Sequence, residues 1–170
     1  TSIDQEEIKA LHLALSEIKG VKSVHTLRTR KVGHKKTADV HVQVNPFLSV
    51  SEGQIIRESV ERVAKECIED LDDVTVHIDP ENDEEKEDAP YKDLPERAQA
   101  LKIISQSLKL ENVNLEIEKT QLHYLDGEIL VDFYLSMDHL KNNSIEQIQS
   151  ELSNALEKLP GFGQVKVYYS

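Results

Sequence analysis

Four side chains of the types that bind transition metals stand at strand-like spacing in the first half of the sequence. His41 lies in a run in which every second residue is apolar, and His77 and Asp79 lie in a second such run. Residues two apart on a strand share a face of the sheet, so these three side chains are expected opposite the valines, on the uncovered face. His25, on an earlier predicted strand, could join them. Imidazole and carboxylate groups on one face suit zinc and related divalent metals.

Each of these residues also has an ordinary structural interpretation. A histidine on an uncovered strand face is commonly just solvent-exposed, and Asp79 before Pro80 is typical of a strand end. The metal hypothesis therefore depends on convergence of the group. His34 falls in a polar turn, and no chemistry is assigned to the remaining histidines, which are His12, His123 and His139. The sequence shows no nucleophile elbow, no phosphate-binding glycine loop and no evident general base, so we predict that the protein is not an enzyme.

A repeated order of helix, strand, strand, helix and strand would position these side chains. In the first half, strands are predicted over 21–30, 38–45 and 74–79. A capping box beginning at Ser2 precedes the first helix, and Ser51 is predicted to cap the second. The second half repeats the order, with a hairpin turn at Asp126-Gly127 and a capping box at Ser144. The pattern predicts an α+β fold of two tandem αββαβ modules of the ferredoxin-like, metallochaperone-like type.

The two halves also align residue by residue. Asp39-Val40-His41 matches Asp132-Phe133-Tyr134, while Tyr168 and Ser170 stand where His77 and Asp79 stand. Core-facing residues are kept and the candidate ligands are replaced, so the second module is expected to lack the metal site. The predicted boundaries are 1–80 for the metal-binding module, 81–93 for an acidic linker and 94–170 for the second module.

Composition restricts the possible partners. The net charge of -12 opposes binding to nucleic acid, which requires clustered Lys and Arg. No apolar run approaches the roughly 20 residues that cross a bilayer. The single cysteine, Cys67, cannot form an intrachain disulfide, as expected in a reducing compartment. The sequence begins at Thr1 and leads straight into a helix signal, so we expect it to be part of a longer protein.

Three segments of the first half form a recognisable set. They are Val24-His25-Thr26-Leu27-Arg28-Thr29-Arg30 followed by Gly33, then Asp39-Val40-His41-Val42, then Val74-Thr75-Val76-His77-Ile78-Asp79-Pro80. Together they resemble the cytoplasmic C-terminal domain of cation diffusion facilitator transporters, over about residues 1–82. The resemblance implies metal ligands at the four positions named first, His25, His41, His77 and Asp79, with the carboxylate able to bridge two ions.

The resemblance is incomplete at two places. A further histidine ligand of some family members falls at Gln54, which leaves open whether this residue contributes and how many ions each site holds. Arg28 and Arg30 match family positions that serve ion pairing, although solvated edge charges explain them equally well.

The same resemblance implies a function. It indicates a homodimeric domain attached to a membrane domain that exports zinc or a related divalent metal in exchange for protons. Metal bound at or near the dimer interface would offset the repulsion between acidic subunits and be coupled to transport. Zinc is the expected metal, with manganese, iron, cobalt, nickel and cadmium as alternatives. The expected location is the cytoplasmic face of the cell membrane, as a soluble fragment of an integral membrane protein.

Other functions stay open at this point. The chain could be a stand-alone soluble metal-binding or protein-interaction module, or a structural pairing module whose histidines are incidental. RNA binding is disfavoured by the acidic charge. The second module could cover the open sheet face of the first, extend the dimer or bind another protein.

Overall fold

The computed structural model describes residues 4–82 and 93–170, which fall in two compact units, Thr1–Glu87 and Asp88–Ser170. Most of the predicted linker, 83–92, lies outside the described residues. Each unit runs helix, strand, strand, helix, strand, and each contains one three-stranded sheet. The predicted α+β class and the two αββαβ modules are therefore confirmed.

The first unit contains α1 (Gln5–Ser16), β1 (Ser23–Val32), β2 (Lys35–Gln43), α2 (Val50–Cys67) and β3 (Leu71–Asp79). Strand β2 is central, pairing antiparallel with β1 and parallel with β3. Its alternate residues Ala38, Val40 and Val42 are almost fully buried. They pack against the apolar faces of the two helices, and these core residues are Leu11, Leu15, Ile56, Val60 and Ala64. The intervening residues of β2 consequently lie on the face that the helices leave uncovered.

Both helices of this unit begin at caps that the sequence analysis placed wrongly. The Asp4 side chain accepts a hydrogen bond from the Glu6 backbone N–H, whereas Ser2 lies outside the described residues. The Ser49 side chain accepts one from the Glu52 backbone N–H, and its extended backbone ends the preceding loop. Ser51 therefore lies inside the first turn of α2. Ser49 and Glu52 have the capping spacing as well, and the structure selects the earlier serine.

The second unit contains α3 (Arg97–Leu110), β4 (Ile117–Leu125), β5 (Glu128–Leu135), a short 3₁₀ helix (Met137–Lys141), α4 (Ile145–Leu156) and β6 (Phe162–Tyr169). Strand β5 is central and buries four side chains completely, which are Ile129, Val131, Phe133 and Leu135. The predicted turn at Asp126-Gly127 is confirmed, because both residues have positive φ and Leu125 pairs with Glu128. Ser144 and Gln147 form the predicted capping box of α4.

None of the helices within 4–82 and 93–170 is both long and apolar enough to cross a bilayer.

Candidate metal centre

A bulge in β1 brings His25 to the uncovered face of the first sheet. Val24 and Thr26 pair with neighbouring residues of β2, which leaves His25 as the extra residue between them. Val24 and Leu27, three positions apart, both pack against the core. A regular strand would send them to opposite faces, so the bulge allows both apolar contacts and re-aims the histidine.

The pairing of β2 with β3 positions the other candidate residues. His41 lies directly beside His77, and Gln43 lies beside Asp79. Neighbouring residues in a parallel register point to the same face of the sheet, opposite the buried valines of β2. The predicted common face of His41, His77 and Asp79 is therefore present in the structure.

Three of the four predicted ligands converge. The Asp79 Oδ2 atom lies 2.8 Å from His25 Nε2 and 3.0 Å from His41 Nδ1. All three candidate ligand atoms lie within 4.8 Å of one another. Because an ionised carboxylate only accepts hydrogen bonds, each imidazole donates from the nitrogen that faces Asp79. The three residues come from β1, β2 and β3, so the group spans the whole sheet.

The donor set fits a transition metal. Zinc binds imidazole nitrogen and carboxylate oxygen at about 2.0–2.2 Å, so tetrahedral ligand atoms lie roughly 3.3 Å apart. The spacings within the group bracket this value, and side-chain torsions alone can adjust them. Three protein ligands leave at least one coordination position for water or another group. His25, His41 and Asp79 are thus the residues that could hold an ion here.

Exposure of the three side chains increases from one side of the group to the other. The His25 side chain is 6% exposed, that of Asp79 20% and that of His41 34%. The Nδ1 atom of His25 is buried and has no hydrogen-bond partner in the described part of the chain. A ligand would consequently approach from the His41 side, with His25 at the floor of the site.

The group lines an open cleft of about 420 Å³. Arg28 and Asp39 contribute opposite charges to its wall, and Thr26 and His77 complete the lining. Gln54, the position of the additional family ligand, lies elsewhere on α2. Its amide donates to Glu58 and its carbonyl oxygen accepts from Arg57.

His77 lines the cleft without joining the ligand group. Its imidazole ring stacks on that of His41, with ring centroids 4.1 Å apart and planes inclined by 9°. The structure thus brings His25, His41 and Asp79 together around one carboxylate and places His77 against the outer ring face of His41.

The second unit has the same arrangement with different side chains. Glu118 is the extra residue of an equivalent bulge in β4, and Ser170 Oγ donates to Glu118 Oε2 over 3.2 Å. Tyr134 pairs with Tyr168, and their rings stack with centroids 5.1 Å apart. The residues at the equivalent positions therefore offer no cluster of metal-binding groups. The sequence alignment identified Tyr134, Tyr168 and Ser170 but missed Glu118, because only the bulge makes it equivalent to His25.

Residues 3–81 match the family model described as the cytoplasmic domain of cation efflux proteins. The first unit belongs to this family. The resemblance to cation diffusion facilitator domains, stated from three sequence segments, is confirmed for that unit. Cation efflux domains of this type are, by the family's description, the cytoplasmic portions of their proteins.

Relatives and solved structures match the same part of the chain. Metal tolerance protein C1 of Arabidopsis thaliana is 33% identical over 79 residues, which are 46% of this chain and 17% of that protein. The manganese efflux system protein MneP of Bacillus subtilis (strain 168) is 27% identical over 79 residues, 46% of this chain and 27% of that protein. The chain thus spans less than a third of these relatives. A variant of the MamM C-terminal domain aligns with a TM-score of 0.43 and 24% identity, over 46% of this chain and 93% of that chain.

Proposed function

We propose that the first unit binds a divalent transition-metal ion through His25, His41 and Asp79 and regulates a cation efflux transporter. One observation carries the proposal: a single carboxylate oxygen lies within 3.0 Å of imidazole nitrogens from two other strands. The three residues are far apart in the sequence and meet only through the bulge and the parallel strand pair. The membership of this unit in the cation efflux family supports a metal as the ligand.

Zinc is the metal that we propose. Two imidazoles and one carboxylate suit zinc, and nitrogen-containing sites bind it more tightly than they bind manganese or iron. Relatives named for metal tolerance and for manganese efflux keep manganese, iron, cobalt, nickel and cadmium as alternatives. Water or a group from a partner subunit would complete the coordination. We assign no catalytic step to the site, since no general base is positioned beside it.

The regulatory step that we propose is electrostatic. The chain carries a net charge of -12, so two copies repel each other. A cation bound near the interface of a homodimer offsets part of that repulsion and favours a closer pair. Linkage then requires that the closer pair binds metal more tightly, and an attached membrane domain can be coupled to the same equilibrium. The unit would work at the cytoplasmic face of the membrane, where it samples the ion to be exported.

We also propose the predicted organisation of the chain, with the metal-binding domain over 1–80, an acidic linker over 81–93 and a second module over 94–170. The division into compact units between Glu87 and Asp88 supports it. Under native conditions, a protease specific for acidic residues should cut the chain first within 81–93 and leave two stable fragments.

Zinc calorimetry combined with light scattering tests the function. The wild-type chain should bind zinc, and His41→Ala should abolish most of that binding. Tyr134→Ala changes the equivalent register position of the second unit and should leave binding intact. Absence of zinc binding by the wild type would refute the metal site. Unchanged dimer affinity with and without zinc would refute the regulatory step while leaving the site in place.

A further inference from the structure

We infer that His77 positions the His41 imidazole for metal binding and does not itself coordinate the ion. This inference rests on the proposed function, because it assigns a role within the same site. Sequence analysis grouped His77 with the ligands since it shares their face of the sheet. A shared face is a weaker condition than a shared ion, and the geometry separates the two.

The His77 ring is placed to stack and not to ligate. It lies nearly parallel to the His41 ring, with centroids 4.1 Å apart. Its nitrogens do not belong to the group of atoms that lie within 4.8 Å of one another. Neither nitrogen makes a hydrogen bond within the described ranges, so the stacked ring is what holds His77 in place.

Stacking restrains the one torsion that decides whether His41 can bind. Its Nδ1 atom faces Asp79 at 3.0 Å, and rotating the ring by half a turn would present a carbon there. His41 is also the most exposed of the three ligand residues, so packing against the protein restrains it least. A parallel ring on its outer face limits the rotation and keeps Nδ1 directed at the carboxylate.

The second unit provides an independent observation. Tyr134 and Tyr168 occupy the register positions of His41 and His77, and their rings also stack, inclined by 19°. Stacking at this pair of positions is thus present in both units, although the second has lost the metal-binding groups. What the two sites share is a ring supported by its neighbour on the adjacent strand.

Substitutions that separate stacking from ligation test this inference. His77→Phe keeps an aromatic ring and removes both nitrogens, whereas His77→Ala removes the ring as well. His41→Phe is the matched control, because it makes the same change at a proposed ligand. The full chain is titrated with zinc by calorimetry, and with Co²⁺ by visible absorption, which reports the ligands bound to the ion.

We expect His77→Phe to bind zinc with an affinity close to that of the wild type and to leave the Co²⁺ spectrum unchanged. His77→Ala should weaken binding by about twofold to twelvefold, the range that an aromatic pair contributes. His41→Phe should lose binding. Rescue by phenylalanine is the result that a ligand role cannot produce.

Two results would overturn the inference. If His77→Phe loses as much affinity as His41→Phe and alters the Co²⁺ spectrum, His77 is a ligand. If His77→Ala binds like the wild type, the stacked ring has no positioning role. Failure of the proposed function would look different, since the wild-type chain itself would then bind neither metal.

Discussion

Replacing Asp79 by asparagine is the sharpest single perturbation of the proposed centre, because one oxygen of this carboxylate contacts both imidazoles. The change is nearly isosteric and removes the negative charge. An amide oxygen is a poorer ligand for zinc, and an amide NH₂ turned toward the imidazoles would face two other donors. Residues that only support a metal ligand typically contribute 10-fold to about 100-fold in affinity, so a direct ligand should reach at least the upper end.

The effect on thermal stability follows from linkage. Free zinc at about 100 times the dissociation constant stabilises the folded state by about 2.7 kcal/mol. For a unit of roughly 80 residues, 1 kcal/mol corresponds to about 4–8 °C, so zinc should raise the melting temperature by about 11–22 °C. A 100-fold weaker site at the same zinc concentration retains about 0.4 kcal/mol, which is only about 2–3 °C.

Scanning calorimetry of the whole chain with and without zinc measures both values. Asp39→Asn is the matched control, since it removes the same charge from the wall of the same cleft at a residue outside the ligand group. Asp39→Asn should keep nearly the full zinc-dependent shift. The reasoning is refuted if Asp79→Asn keeps it too, or if both variants lose it equally, which would indicate general charge attraction.

Three further predictions concern acidity, reactivity and packing. Zinc affinity measured by calorimetry should fall steeply as the pH is lowered below about 6.5, because His25 and His41 must both be neutral to bind; an unchanged affinity at pH ~5.5 would contradict this. Burial, with a smaller contribution from the charge of Glu66, raises the pKa of the Cys67 thiol, so its thiolate fraction at mildly alkaline pH is reduced. Mass spectrometry should show slower alkylation by iodoacetamide in the native chain than in urea, and equal rates would disprove it. Phe133→Ala should destabilise the second unit by about 3–5 kcal/mol in urea denaturation, because this ring is fully buried, whereas Tyr168→Ala, 42% exposed, should cost much less.

Much of the fold could be predicted because apolar alternation and turn residues agree along most of the chain. The valines of β2 and the Asp126-Gly127 turn predict strands and a hairpin without tertiary information. The start of α2 was misplaced because Ser49 and Ser51 are both good capping residues. Sequence patterns locate such ends only to within a few residues, and the final choice depends on where the preceding loop leaves the chain.

The candidate site was predictable to the level of a sheet face and no further. Alternation places His41, His77 and Asp79 on one face, and the structure agrees. It does not reveal that His25 lies on a bulge, although Val24 and Leu27, three positions apart and both apolar, were a signal. Nor does it tell which rings reach the carboxylate and which stack, because that depends on side-chain torsions. These torsions separate His77 from the other three residues.

The order of the strands in the first sheet gives the centre a mechanical consequence. β1 and β3 are the two outer strands, each hydrogen-bonded on one side only, and His25 and Asp79 belong to them. An ion joining these residues would act as a removable clasp across the sheet, closing a loop of more than fifty residues. Loops of this length gain most from closure, since an open chain of that size has much entropy to lose. The metal would then resist fraying at both margins of the sheet at once, and a chelator would release both together.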